Sequence, residues 1–211
     1  MAKLFRDFYD RDTCTVAQEL VGKYLVRQWG EQRLVCRITE TEAYIGRCDK
    51  ACHAYQYRRT QRTEPLFAAP GTVYIYLIYG MHHCLNLVTE AEGEPAAVLL
   101  RGGHPCWNTE TICQLRFGKE LHQLSAYQRN NLLNGPGKLC KGFGLSRTQN
   151  GIDGTGETLF VCESLTDLGL PPEPAPIPTD IQVGKRIGID YAEEAIDFPW
   201  RFYVTDTGGT Q

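Results

Sequence analysis

At 211 residues the chain suits one large domain with a sizeable core, or at most two small ones. Hydrophobic residues at 42% and charged residues at 22% are ordinary for a globular protein, and no apolar run approaches the roughly 18 residues of a membrane span. The net charge of −3 speaks against a uniformly basic nucleic-acid binder, and nine cysteines, an odd number without framework spacing, speak for reduced thiols over a disulfide scaffold. The opening MAKLFRDFYDRD is charged and lacks an apolar signal core, so a cytoplasmic protein is expected, nucleoid-associated if bacterial.

In chain order, Asp12 or Thr13 can cap a helix through Leu20, with Val16 and Leu20 on one face and Gly22 ending it. Residues 23–27 read as a strand, followed by a turn at Gly30. Residues 34–45, LVCRITETEAYI, read as the next strand. A period of two puts Cys36, Ile38, Glu40, Glu42 and Tyr44 on one face, and Val35, Arg37, Thr39, Thr41 and Ala43 on the other. Two carboxylates thus share a face with apolar residues, which is costly unless they are paired or employed. One Glu capping a helix or meeting an arginine would explain the pattern without chemistry.

Residues 46–71 form a long polar loop, and such a loop in a compact domain is more often functional than idle. It carries Arg58, Arg59 and Arg62; Lys138, Lys141 and Arg147 make a second acid-free basic stretch, while acids collect towards the C-terminus. A basic face on an acidic body can bind phosphates, or simply be solvated. Residues 72–89 read as a hairpin with its turn near Gly80, Tyr74 and Tyr76 on one face and Tyr79 at the turn. A strand at 96–101 alternates Ala97, Leu99 and Arg101 on one face. Residues 105–133 read as mostly helical, and Gly-Pro-Gly at 135–137 opens a helix with Lys138 in its first turn, a setting suited to a phosphate. A proline-rich surface segment at 170–180 and strands at 185–189 and 200–205 close the chain. Cys48, Cys52 and His53, or His82, His83 and Cys84, invite a zinc reading, but no second paired cluster completes either set, and no metal is expected.

Taken together, RITETEAYIG, ACHAY, PGTVYIYLIYGMHHCLN, EPAAVLLR, GPGKLC and RIGID followed by WRFYV resemble the alkyladenine (3-methyladenine) DNA glycosylase family over nearly the whole chain. The resemblance implies a single mixed α+β domain over residues 1–211. Its curved antiparallel sheet would be flanked by helices, like the C-terminal domain of methionyl-tRNA formyltransferase. It further implies a monomeric, cofactor-free enzyme that removes alkylated or deaminated purines from double-stranded DNA. A glycosidic bond inside a duplex is out of reach, so the nucleotide is flipped into a pocket; glycosylases are a standard example of this. By the family motif, Glu42 would activate water and Arg101 would orient both, with the carbonyl of Ile187 completing the water site. Tyr44, His53 and Tyr76 would sandwich the purine, Asn86 would crowd its 2-position and Leu99 would line the pocket. Tyr79 would wedge into the duplex, and Arg58, Arg62 and Lys138 would meet phosphates.

Two positions depart from the family pattern. Gly102-Gly103-His104-Pro105 stands where the family often has Ala-Leu-Glu-Pro, so an acid near Arg101 is missing, and Thr63 replaces an asparagine in the basic loop. A catalytically silent damaged-DNA-binding protein and an RNA-binding accessory domain are the competing classes. Glu42 together with Arg101 argues against both, because binding alone needs neither.

Overall fold

Residues 32–45 and 96–107 form the longest strand pair, with breaks in its register. The computed structural model describes residues 3–173 and 180–205. Its strands are β1 (Tyr24–Trp29), β2 (Gln32–Ile45), β3 (Val73–Ile78), β4 (His82–Val88), β5 (Ala96–Trp107), β6 (Leu159–Cys162), β7 (Ile181–Gly184) and β8 (Arg201–Val204). Its helices are α1 (Arg6–Tyr9), α2 (Thr13–Leu20), α3 (Thr109–Phe117), α4 (Ala126–Asn130) and α5 (Pro136–Gly142). The strands make one curled antiparallel half-barrel in the order β3-β4-β5-β2-β1-β6, with β8 pairing to β2 and β7. Along one edge of β2, β1 covers Gln32–Arg37 and β8 covers Glu40–Glu42. The fold is thus the expected mixed α+β arrangement. Among the described residues no helix is long and apolar enough to cross a membrane.

The main core lies between the sheet and helices α2, α3 and α5, with Val16, Ala17, Leu20, Ile112 and Leu139 fully buried against Leu34, Ile38, Val98 and Leu100. Burying each Val, Leu or Ile side chain among them contributes about 1.5–3 kcal/mol. Helix α2 starts as expected: the Asp12 carboxylate accepts from the Thr15 N–H at 2.8 Å.

The strict alternation expected along β2 does not hold. Opposite β5, Ile38 pairs with Gly103, Glu40 with Gly102, and Thr41 with Leu100, which leaves Thr39 and Arg101 as unpaired residues on the two strands. Each extra residue flips the side-chain parity beyond it. Cys36 and Ile38 therefore join Ala43 in the main core, and the Thr41 hydroxyl donates to the Ala17 carbonyl at 2.7 Å. Glu40, Glu42 and Tyr44 face the other side.

Other expectations need correcting. Strand β5 continues past Arg101 to Trp107, so the helical region expected from residue 105 begins later, with α3, a 3-10 turn at Leu121–Gln123 and α4. Residues 185–189 are not a strand; the chain leaves β7 at Gly184 and runs irregularly as Arg186 turns inward. Strands β6 and β7 had no clear signal, each being four residues long. Most of the proline-rich stretch, residues 174–179, lies outside the described residues.

Candidate active site

On the face of the sheet away from the main core, β2, β3, β4 and β5 present a cavity of about 570 Å3, a size typical of small-molecule sites. Tyr44, His53, Tyr76, Asn86, Leu99, Arg101 and Ile187 all line it, with Arg62 and Tyr79 at the same cavity. Sequence parity explains the strand members: Ala97, Leu99 and Arg101 alternate on β5, and Tyr74 and Tyr76 on β3.

Glu42 lies directly behind this lining and has no exposed surface. Its Oε1 accepts from the Ile187 N–H at 2.8 Å; its Oε2 accepts from the Tyr44 hydroxyl at 2.8 Å and Arg101 Nη1 at 3.3 Å. Burial raises Glu42 above the ordinary carboxylate value, opposed by the Arg101 charge, the Ile187 N–H and the Tyr44 hydroxyl. Burial, then the neighbouring Glu42 charge, holds the Tyr44 phenol well above its usual value, so it remains a donor. Three donors aimed at one carboxylate suit its ionised form. Oε1 takes one donor and keeps a lone pair for a water.

The acid missing after Arg101 does not leave that side chain loose. Its Nε donates to Glu40 Oε1 at 3.0 Å. A Cβ on Gly102 would stand 2.9 Å from Thr39 Oγ1 and 3.4 Å from Glu40 Cβ, and one on Gly103 would stand 2.7 Å from Cys36 Sγ. The glycine pair therefore lets β5 pass close over β2 between Cys36 and Glu40.

His53 and Tyr76 touch edge to face, with ring centroids 4.5 Å apart and planes at 79°. No ring fits between them, so the two form one wall, and of the three residues expected to sandwich a purine Tyr44 stands apart from it. Burial, then Arg62, lowers His53 to about 4, so the imidazole is neutral at ordinary pH. Its Nε2 is 3.4 Å from Arg62 Nη2, and its Nδ1 is 3.0 Å from the Tyr74 hydroxyl. A guanidinium only donates, so Nε2 accepts and Nδ1 carries the proton. Asn86 donates both amide hydrogens to main-chain carbonyls, of Tyr74 at 3.0 Å and Cys84 at 3.3 Å, leaving its oxygen to offer the cavity.

The hairpin turn carries Tyr79 (φ 52°) and Gly80 (φ 68°), both left-handed, and Met81 N–H closes it on the Ile78 carbonyl. Two left-handed central residues match the twist of the flanking strands. Tyr79 is 80% exposed and Met81 70%. Arg58 is exposed, with no side-chain partner among the described residues. Arg62 sits over the Tyr76 ring at 5.5 Å, so it belongs to the cavity mouth as much as to the outer surface. Lys138 donates to Asn131 at 2.7 Å and Asn134 at 2.8 Å. Thr63 is buried, its hydroxyl bracing the Arg58 carbonyl at 3.0 Å, and so faces the loop interior.

Sequence reasoning missed the clamp behind Tyr44. Arg186 and Asp49 are fully buried and paired through both carboxylate oxygens, at 2.5 and 2.8 Å. The guanidinium lies 4.7 Å from the Tyr44 ring and 5.1 Å from that of Trp200. It ties the long loop to the segment that supplies the Ile187 N–H. Asp190 and Tyr191, from the same segment, also line the cavity. An arginine inside RIGID was the one available signal. Among the described residues no three His, Cys, Asp or Glu side chains converge as metal ligands would.

The sequence signature of methylpurine-DNA glycosylase matches residues 7–208. A protein of Clostridium perfringens (strain SM101 / Type A) is 49% identical over 207 residues, covering 97% of this chain and 96% of its own length. One of Desulfitobacterium hafniense (strain Y51) is 45% identical over 207 residues, covering 98% and 97%, and one of Alkaliphilus oremlandii (strain OhILAs) is 46% identical over 205, covering 97% and 96%. All three are provisionally named 3-methyladenine DNA glycosylases. An aromatic cavity backed by a buried carboxylate, in a chain with these matches, defines a DNA glycosylase, an enzyme of alkylated-base repair. The chain belongs to the methylpurine-DNA glycosylase family.

Proposed function

We propose that the protein, acting as a monomer on duplex DNA, excises alkylated and deaminated purines such as 3-methyladenine, 7-methylguanine, hypoxanthine and ethenoadenine. Glu42 is the general base. The observation that carries this reading is its carboxylate, wholly buried yet accepting from the Ile187 N–H, the Tyr44 hydroxyl and Arg101 at the wall of an aromatic cavity. The damaged nucleotide swings out of the stack and its base enters between Tyr44 and the His53–Tyr76 wall, where stacking contributes about 1–3 kcal/mol. A cationic base gains further by attraction to the ring faces.

Water held at Glu42 Oε1 then attacks C1′ as the glycosidic bond breaks. The water proton passes to Glu42, the bonding electrons leave with the base, and an abasic site remains. The Ile187 carbonyl is assigned as the water's second partner, and Asn86 and Leu99 as limits on which purine fits. Tyr79 fills the gap in the duplex, while Arg58, Arg62 and Lys138 steady the phosphates.

The test is incubation with duplexes carrying each lesion singly, followed by alkali, which breaks the strand at an abasic site. Scission at the lesion alone is expected. Absence of scission with all four lesions would overturn the proposal.

A further inference from the structure

The charges at the site do not stop at Glu42 and Arg101. The Glu40 oxygen that accepts from Arg101 Nε at 3.0 Å also accepts from Arg201 Nε at 2.6 Å. Arg201 in turn stacks on the Tyr203 ring at 4.2 Å. Glu42, Arg101, Glu40 and Arg201 therefore form an alternating row drawn from β2, β5 and β8. The register places it: β8 sets Arg201 opposite Glu42, and Arg101 is the unpaired residue of β5 between the partners of Glu40 and Thr41. Arg101 reaches Glu42 only at 3.3 Å, the long end of a hydrogen bond, and its side chain has no other partner than the two glutamates among the described residues. Its aim towards Glu42 thus depends on the anchor at Glu40.

We propose that Glu40 and Arg201 are positioning residues for base excision, Glu40 anchoring Arg101 against Glu42 and Arg201 balancing the charge that Glu40 brings to the row. The catalytic consequence rests on Glu42 being the base; the electrostatic one does not. The charged and titratable groups facing Glu42 are Arg101 from β5, Tyr44 and Glu40 from its own strand, Cys84 from β4, and Arg186 from the segment before β8. Glu40 faces Arg101 and Arg201. Removing the negative charge of Glu40 favours ionised Glu42. Removing the positive charge of Arg201 disfavours it.

The experiment is a carbon-13 titration of the Glu42 carboxyl in the free protein, its signal assigned by its loss in Glu42→Gln. Glu40→Gln keeps an oxygen for Arg101 but drops the charge, and the Glu42 titration moves to lower pH. Arg201→Gln moves it to higher pH, and Arg201→Lys returns it towards the unmutated position. Glu163→Gln, which removes an exposed charge just beyond β6, leaves it in place. A purely structural role would change unfolding midpoints without opposite shifts of this kind.

Single-turnover excision of 7-methylguanine, a cationic base that leaves without needing a proton, follows in parallel. At a fixed pH on the acid side, the rate relative to each variant's own plateau rises about threefold in Glu40→Gln and falls about threefold in Arg201→Gln. Shifts of the same sign in the two variants, or no shift in either, overturn the proposal. Opposite titration shifts with an excision profile that stays still would uphold the charge row and remove Glu42 as the base.

Discussion

Replacing Arg186 by Met tests whether the loop carrying His53 is locked to the segment carrying Ile187. The Arg186 and Asp49 side chains have no exposed surface. Removing the arginine strands the Asp49 charge, and breaking a pair buried this deeply costs about 3–5 kcal/mol. Asp49 keeps two weaker donors, the Ala51 N–H at 2.9 Å and the Ile45 N–H at 3.4 Å, which favours the lower end of that range. The carbonyls of Ala43 and Ala195 lose donors at 2.8 and 3.1 Å, which moves the expectation back to about 4 kcal/mol. Methionine fills much of the vacated volume, so cavity formation adds little.

With a urea slope of about 2 kcal/mol per molar, the unfolding midpoint should fall by about 2 M. Adding Asp49→Asn removes the stranded charge while keeping an acceptor for Ala51. The double variant should recover at least about 1 kcal/mol relative to Arg186→Met alone, because residues in one buried pair are not additive. A loss below about 1 kcal/mol in the single variant, or a double variant that is simply additive, would refute the reasoning.

Gln56 and Tyr57 are adjacent left-handed residues without being glycine, at φ 52° and 58°, so Gln56→Gly should raise stability by about 1 kcal/mol in the same urea assay; a decrease would show that the strain is not there. Tyr79→Ala should leave stability unchanged, the ring being exposed. It should slow excision of lesions in stable pairs and spare lesions opposite a mismatch, where little stacking is lost on flipping. Equal slowing of both in single-turnover assays would return Tyr79 to the pocket. Glu42 must be ionised to take a proton, and burial raises it. Excision of 7-methylguanine should therefore fall away as pH drops through a value above that of an ordinary glutamate; a rate profile flat down to the ordinary glutamate range would contradict this.

The roles of the site residues came with the family resemblance, while strand periodicity made legible which residues share a face. Tyr74 with Tyr76, and Ala97 with Leu99 and Arg101, meet at the cavity as alternation alone requires. The same rule misplaced Cys36 and Ile38 beside Glu42, because a bulge has no fixed residue signature; only the glycine pair at 102–103 hints that β5 must approach β2 closely there. Residues 185–189 suggest a strand only through Ile187 and Ile189 at alternate positions, and the buried Arg186–Asp49 pair bends the segment inward. That pairing spans 137 residues of sequence, and a charged residue gives no local sign that its partner lies so far away. His53 and Tyr76 could be named for the pocket, but nothing in their spacing shows that they share one wall.

Glu42→Gln most directly tests the central claim, that a buried carboxylate activates the water. The amide keeps the side-chain shape and an oxygen for the Ile187 N–H, and loses the ability to accept a proton. Measured as single-turnover release of 3-methyladenine from a duplex, the rate should fall by about 10²–10⁴ while affinity for the same duplex holds. A variant that still excises within tenfold of the unmutated rate would contradict the account and move the base elsewhere, with Glu40 the first place to look.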